Sequence, residues 1–125
     1  MTHRIRITAG DISMEAELQD SSAGQAIWNA LPIQQPGATW GDEIYFSIPV
    51  QAETENAQEV VQPGDLGYWP PGNAFCIFYG PTPASRGDEI RPASEVEVVG
   101  RLRGDPKAFK HVVGGTVVRL EKMEA

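Results

Sequence analysis

Apolar and polar residues alternate along much of the chain, which predicts short β-strands. In segment 2–8 isoleucine alternates with arginine, and in segment 12–18 apolar residues alternate with serine and glutamate. Successive side chains of a strand point to opposite faces, so both segments predict strands with one buried face. Segments 42–49 and 95–103 have the same period, and segment 116–123 predicts a closing strand. These patterns assign to the interior Ile5, Ile7, Ile12, Met14, Ala16, Leu18, Ile44, Phe46, Ile48, Val96, Val98 and Leu102.

Segment 63–81 is the most apolar part of the chain and predicts a central hairpin. Asp65 to Trp69 is expected to form its first strand. Pro70-Pro71-Gly72 predicts a sharp connector, because proline has no N–H to donate to a sheet. Ala74 to Tyr79 has no polar side chain before the tyrosine hydroxyl. This run predicts a short strand that is buried on both faces.

One segment has helical periodicity. Ser22 and Gln25 have the spacing of a capping box, and Pro32 is expected to end the helix after about three turns. Its apolar face consists of Ala23, Ala26, Ile27, Ala30 and Leu31. Farther along, Asp105-Pro106 is a good start for one short helical turn in segment 105–110.

The remaining segments complete a barrel. Segment 34–40 predicts a broken strand, and segment 50–62 predicts a surface loop or a poorly formed strand. Gly100 marks a position where backbone must approach closely. Segment 80–94 lacks regular structure, and loops of that length are often functional. About eight short strands and one helix predict a mainly β fold, a closed antiparallel barrel without exposed edges.

Composition narrows the class of protein. A chain of 125 residues is expected to form a single domain, residues 1–125, with one core. A net charge of −7 argues against nucleic acid and anionic membranes as partners. The single cysteine, Cys76, precludes an intramolecular disulfide and fits a reducing, cytoplasmic location.

The sequence does not predict a metal site or another cofactor. Its two histidines, His3 and His111, lie near opposite ends, and neither has a second ligand at suitable spacing. The segment 63–72 resembles the second motif of cupin barrels. That motif needs a histidine shortly after its turn, where this chain has Asn73-Ala74-Phe75. We therefore expect no bound metal.

Several motifs resemble cyclophilins. Gly72-Asn-Ala-Phe-Cys-Ile-Phe78 is similar to their Gly-Ser-Gln-Phe-Phe-Ile-Cys, and Val96-Glu-Val-Val-Gly-Arg-Leu102 to their His-Val-Val-Phe-Gly-Lys-Val. The segments Trp40 to Pro49, Gly64-Asp65 and Phe78 to Ser85 more closely resemble the small prokaryotic cyclophilin-like proteins of the TM1367-like group. The order of strands and helix agrees over nearly the whole chain. The resemblance implies a cyclophilin-like barrel.

The chain departs from cyclophilins where their catalytic residues lie. Trp40-Gly41-Asp42 occupies the neighbourhood of their Phe-His-Arg segment, so an acid stands near the place of the catalytic arginine. Ala74 occupies a position where cyclophilins have a glutamine, and Cys76 a position where they have a phenylalanine of the proline pocket. The rotation barrier of about 18–20 kcal/mol has no evident catalyst among these residues. Another arginine could take the place of the catalytic arginine in the folded protein, and the candidates are Arg86, Arg91 and Arg101.

The resemblance and the departures predict a binding module that holds a peptide or small ligand in a groove beside the central hairpin. A weak or divergent prolyl isomerase is the alternative, and a structural or homo-oligomerising barrel is the second. Arg86, in the long loop, is expected either to pair with an acid or to hold an anionic group. The groove candidates are Asp42, Glu43, Tyr45, Trp69, Ala74, Cys76, Tyr79, Thr82 and Arg86.

Overall fold

The computed structural model describes residues 2–123, which form ten strands, one α-helix and two 3-10 helices. The helix is α1 (Ser22–Ala30), and the 3-10 helices are Pro70–Gly72 and Pro106–His111. The strands are β1 (His3–Ala9), β2 (Ile12–Leu18), β3 (Ile33–Pro36), β4 (Ala38–Thr39), β5 (Glu43–Ser47), β6 (Ala57–Gln58), β7 (Asp65–Trp69), β8 (Ala74–Phe78), β9 (Val96–Leu102) and β10 (Val117–Lys122).

The strands form one antiparallel sheet that nearly closes into a barrel. Their order is β3-β10-β1-β2-β9-β7-β8-β5-β4, and the short β6 pairs with β9. The two end strands, β3 and β4, follow each other in the chain across Gly37, whose backbone N donates to the carbonyl of Thr116 at 2.8 Å. A Cβ at position 37 would lie 2.9 Å from Cγ2 of Ile44, so a larger residue at this junction would displace a buried side chain. The predicted antiparallel barrel is confirmed.

The barrel interior holds the larger of two apolar clusters. Alternate residues of β1, β2, β5 and β8 point into it, as the sequence pattern predicts. Ile12 and Met14, near the start of β2, are only partly buried at its edge. The fully buried members with the largest side chains include Tyr68, Phe75, Phe109, Ile5, Ile7, Leu18, Ile27, Ile44, Leu66, Ile77 and Leu120.

A β-bulge interrupts the alternation of β9, so two residues that the sequence pattern assigned to the interior lie outside it. Leu66 pairs with Gly100, but the next residue of β7, Gly67, pairs with Val98, so Val99 is an extra residue. Val99 packs inside the barrel, whereas Val96 and Val98 lie in the second apolar cluster. The predictions of Val96 and Val98 as interior residues were wrong, because strict alternation fails across an inserted residue.

The helix begins one residue earlier than the capping box predicts. The side chain of Ser21, not Ser22, caps the helix by accepting a hydrogen bond from Gly24 N at 3.1 Å. Ser21 has extended backbone geometry, which suits the residue just before the first helical turn. Ala23 and Ile27 are buried in the interior cluster. Within residues 2–123, no helix is long and apolar enough to cross a membrane.

The second apolar cluster lies on the outer surface of the barrel wall. β8 is buried along its whole length, since Phe75 and Ile77 point inward and the alternate residues point outward. The connection between β8 and β9 covers the outward side, where Ile90 forms an isolated bridge with Val61. We call this set the outer cluster, and its buried members are Val61, Ala74, Cys76, Phe78, Ile90 and Val96.

Candidate functional site

An open cavity of about 280 Å³ lies against the outer cluster. Strands β5, β7 and β9 contribute outward-facing side chains, and β8 lies between β5 and β7 in the sheet. The turn before β5 contributes a tryptophan, and the end of the loop before β9 contributes a further wall. The lining residues are Trp40, Glu43, Tyr45, Trp69, Pro92, Ala93 and Val96.

Three aromatic side chains form much of the cavity wall. Trp40, Tyr45 and Trp69 are all only partly buried, so their rings are accessible to a ligand. The indole N–H of Trp69 donates to Ser94 Oγ at 2.7 Å. This hydrogen bond joins the central hairpin to the loop and fixes the indole in the wall.

Among the described residues that line the cavity, Glu43 is the only charged one. It is 5% exposed, and burial raises the pKa of its carboxyl from 4.5 to about 7, although a hydrogen bond with Cys76 lowers that pKa in part. Its Oε1 atom is buried without a hydrogen-bond partner in the described residues. An unpaired buried oxygen costs free energy, on the order of 1–3 kcal/mol for a neutral group and more for a charged one. One oxygen of this carboxyl is therefore buried without a donor.

Two groups near Glu43 also have raised pKa values. Burial raises the pKa of the Cys76 thiol well above its usual value, and the Glu43 carboxylate raises it further. Burial raises the pKa of Tyr79 to about 12, with contributions from Asp42 and Glu43. A thiol that is 1% exposed and resists ionisation is a poor nucleophile. Cys76 is therefore a small, unreactive residue beneath the cavity, where its thiol is hydrogen-bonded to Glu43.

A family model described as cyclophilin-like matches residues 3–121. The chain belongs to the cyclophilin-like family. The solution structure of the hypothetical protein AF2241 from Archaeoglobus fulgidus is similar, with 41% sequence identity and a TM-score of 0.82. The match covers 98% of this cyclophilin-like chain and 95% of the archaeal one. A search of curated proteins found no match. The family and the fold that the sequence predicts are confirmed.

The cavity brings together some of the predicted groove residues of this cyclophilin-like domain. Glu43, Tyr45 and Trp69 line it directly. Ala74 and Cys76 lie in the outer cluster on β8, and Glu43 contacts the Cys76 thiol. These five residues come from three adjacent strands, as expected for a site beside the central hairpin.

Four other predicted residues lie away from the cavity lining. Tyr79 packs in the interior cluster, where its ring centroid is 6.2 Å from that of Phe109. Asp42 lies 3.5 Å from Lys110 Nζ, in an ion pair beside the second 3-10 helix. Thr82 is buried within the loop, and Arg86 is exposed and takes part in none of the ion pairs found within residues 2–123.

The loop 80–94 is braced by short polar side chains. Ser85 Oγ accepts hydrogen bonds from the backbone N–H groups of Thr82 at 2.9 Å and Arg91 at 3.1 Å. The Thr82 hydroxyl donates to the carbonyl of Arg91. Thr82 is thus a structural tie in the loop, and the wall at Pro92 and Ala93 follows directly from this braced segment.

Sequence reasoning missed four lining residues, Trp40, Pro92, Ala93 and Val96. The period of β9 assigned Val96 to the interior, and only the bulge at Val99 turns it outward. The loop was expected to contribute through its start, but its end lines the cavity. Trp40 had a sequence signal, since it lies in the segment that resembles the cyclophilin catalytic region. Within residues 2–123, no three His, Cys, Asp or Glu residues cluster in a way that could hold a metal ion.

Proposed function

We propose that this chain is a binding module that holds a small ligand, or one side chain of a peptide, in the cavity formed by β5, β7, β9 and the loop. The observation that carries the proposal is an open cavity with aromatic walls and a buried carboxyl, one oxygen of which lacks a donor. Its volume of about 280 Å³ is near the lower end of small-molecule sites, which span about 300–1,000 Å³. A ligand group of modest size fits best.

The proposal also holds that the chain lacks conventional prolyl isomerase activity. Cyclophilins use an arginine at the prolyl amide, whereas the charged residue in this cavity is Glu43, which cannot provide that guanidinium. Two of the alternative arginines have other partners. Arg91 pairs with Glu89 at 3.0 Å, and Arg101 pairs with Asp65 at 2.9 Å. Neither of them lines the cavity.

Tryptophan indole signals provide a test of binding with an internal control. Two of the three tryptophans, Trp40 and Trp69, line the cavity, whereas Trp28 stacks on His3 with 4.5 Å between ring centroids. Titration with cyclohexanol, a neutral probe of suitable size, should shift the indole N–H resonances of Trp40 and Trp69 and leave that of Trp28 unchanged. Native mass spectrometry of the purified protein would show whether a molecule stays bound.

A matched pair of substitutions locates the binding. Ala93→Phe places a ring in the cavity wall and should abolish the shifts, whereas Val113→Phe adds the same ring at a position that is 71% exposed and outside the lining. Equal loss in both variants would contradict binding in this cavity.

A protease-coupled assay on a proline peptide tests the second part of the proposal. The expected rate is the uncatalysed background. A rate comparable to that of an ordinary cyclophilin would favour the alternative, a divergent isomerase.

A further inference from the structure

The cavity wall carries a carboxyl group, which suits a positively charged ligand better than a neutral one. Glu43 is the single charged lining residue, and its Oε1 atom has no donor within the described part of the chain. A small rotation of the Glu43 side chain would bring that oxygen, which is buried in the free protein, to the cavity, where a neutral hydroxyl ligand could donate one hydrogen bond to it. A protonated amine would donate a hydrogen bond and also neutralise the carboxylate, which makes the contact shorter and stronger.

The aromatic residues complement a cation in the same way. Trp40, Tyr45 and Trp69 surround the space beside the carboxyl, and aromatic ring faces attract ammonium groups. The same rings also pack against the apolar substituents of an amine. A carboxylate and aromatic faces in one cavity therefore favour an organic cation over an anion.

The surrounding charges agree with this preference. Lys110 is paired with Asp42, which precedes Glu43 in the chain, and Arg91, which precedes the lining residue Pro92, is paired with Glu89. The chain as a whole carries a net charge of −7, which attracts cations and repels anions.

We propose that the cavity recognises an alkylammonium group that retains at least one N–H and carries an apolar substituent. The inference rests on the proposed function, since it requires that the cavity is a ligand site. The N–H is needed because the Glu43 oxygen lacks a donor, so a quaternary ammonium would leave it unpaired. Such a group can belong to a free amine or to a lysine side chain of a peptide, and the test distinguishes the two.

The proposal implies that binding depends on pH. The cation pairs with the ionised form of Glu43, and burial holds the pKa of that carboxyl at about 7 in the free protein. Glu43 is hydrogen-bonded to the Cys76 thiol, lies near enough to Tyr79 to affect its pKa, and follows Asp42 in the chain. Burial and neighbouring acids raise the pKa values of Cys76 and Tyr79 away from neutrality. Alkylammonium groups stay protonated from pH 6 to pH 8. Affinity should therefore fall about tenfold from pH 8 to pH 6, as Glu43 takes up a proton.

The experiment compares probes that share one ring. Cyclohexylammonium has N–H donors and charge, N,N,N-trimethylcyclohexylammonium has charge without a donor, and cyclohexanol is neutral. Affinities come from titrations that follow the indole signals of Trp40 and Trp69. At pH 8 cyclohexylammonium should bind at least about tenfold more tightly than either of the other two, as one charge-assisted hydrogen bond supplies. Nα-acetyl-lysine methylamide is the peptide arm, and tighter binding than cyclohexylammonium would indicate a lysine side chain as the source.

Glu43→Gln should remove both the preference for cyclohexylammonium and its pH dependence, while cyclohexanol binding persists. Glu53→Gln, at an exposed acid outside the cavity lining, is the control and should change neither. The pH series on the unaltered protein decides the question even if the Glu43 variant does not fold.

The outcomes separate the two proposals. Equal, pH-independent binding of cyclohexylammonium and cyclohexanol would refute the ammonium site and leave the binding module in place. Tightest binding by the quaternary probe would refute the need for an N–H. If no probe shifts Trp40 and Trp69, the cavity is not a site for such ligands, and both proposals fail.

Discussion

The Glu43 carboxyl should make the stability of the free protein depend on pH. In the folded protein its pKa is about 7, against 4.5 for an unperturbed carboxyl. The folded state therefore keeps the proton to higher pH than the unfolded chain, and the free energy of unfolding falls as pH rises from about 4.5 to 7. A shift of this size corresponds to about 3 kcal/mol, of which about 2.5 kcal/mol lies between pH 5 and pH 8.

The perturbation that isolates this contribution is Glu43→Gln, which keeps the shape of the side chain but cannot ionise. Urea unfolding of the two proteins at several pH values gives the difference in free energy of unfolding, in which all other titrating groups cancel. Relative to its value at pH 5, that difference should move by about 2.5 kcal/mol in favour of the variant at pH 8, or roughly 10 °C in thermal midpoint.

Cys76 and Tyr79 do not confuse this measurement, because burial raises their pKa values away from the interval of pH 5 to 8. The matched control is Glu53→Gln, at an exposed acid, where the difference should stay within about 0.5 kcal/mol at every pH. A difference for Glu43→Gln that is equally flat would refute the reasoning, since the carboxyl would then titrate as it does in the unfolded chain.

Three further predictions concern stability and reactivity. Gly100→Ala should cost more than about 3 kcal/mol or abolish soluble expression, because its Cβ would lie 2.0 Å from the carbonyl oxygen of Glu17; a mild loss by urea unfolding would mean that the strands can move apart there. Cys76 should not react with an aromatic disulfide reagent in the native protein at pH 8 and should react fully in denaturant, and rapid native labelling would contradict its burial. Arg86→Ala should change the free energy of unfolding by no more than about 0.5 kcal/mol, because Arg86 is exposed; a larger loss would identify it as a structural tie.

The sequence carries enough information for the barrel because most strands follow the period of two. The interior residues of β1, β2 and β5, and the doubly buried β8, follow directly from which positions are apolar. The capping box was misplaced by one residue, because Ser21 and Ser22 are equally good caps by type and only backbone geometry selects Ser21.

The cavity was only partly predictable. Glu43 and Tyr45 lie on the outward face that alternation assigns in segment 42–49, and Trp69 ends the first strand of the predicted central hairpin, so the sequence pattern indicates all three. The pattern does not identify Val96 as a lining residue, because the bulge at Val99 depends on the pairing between β7 and β9, which a local sequence pattern does not show. The role of Pro92 and Ala93 depends on how the loop folds back over the barrel, which local propensities do not fix.

The braced loop has a consequence for the kinetics of binding. Ser85 and Thr82 tie together the two ends of the segment that precedes the wall at Pro92 and Ala93, and Val61 N donates to the carbonyl of Ile90 at 3.0 Å on the opposite side. Much of the ordering entropy of the loop has thus been lost during folding, before any ligand arrives. A ligand would therefore bind to a preformed site in a single step, and the observed association rate would rise linearly with ligand concentration. Differences in affinity between ligands would lie mainly in their dissociation rates.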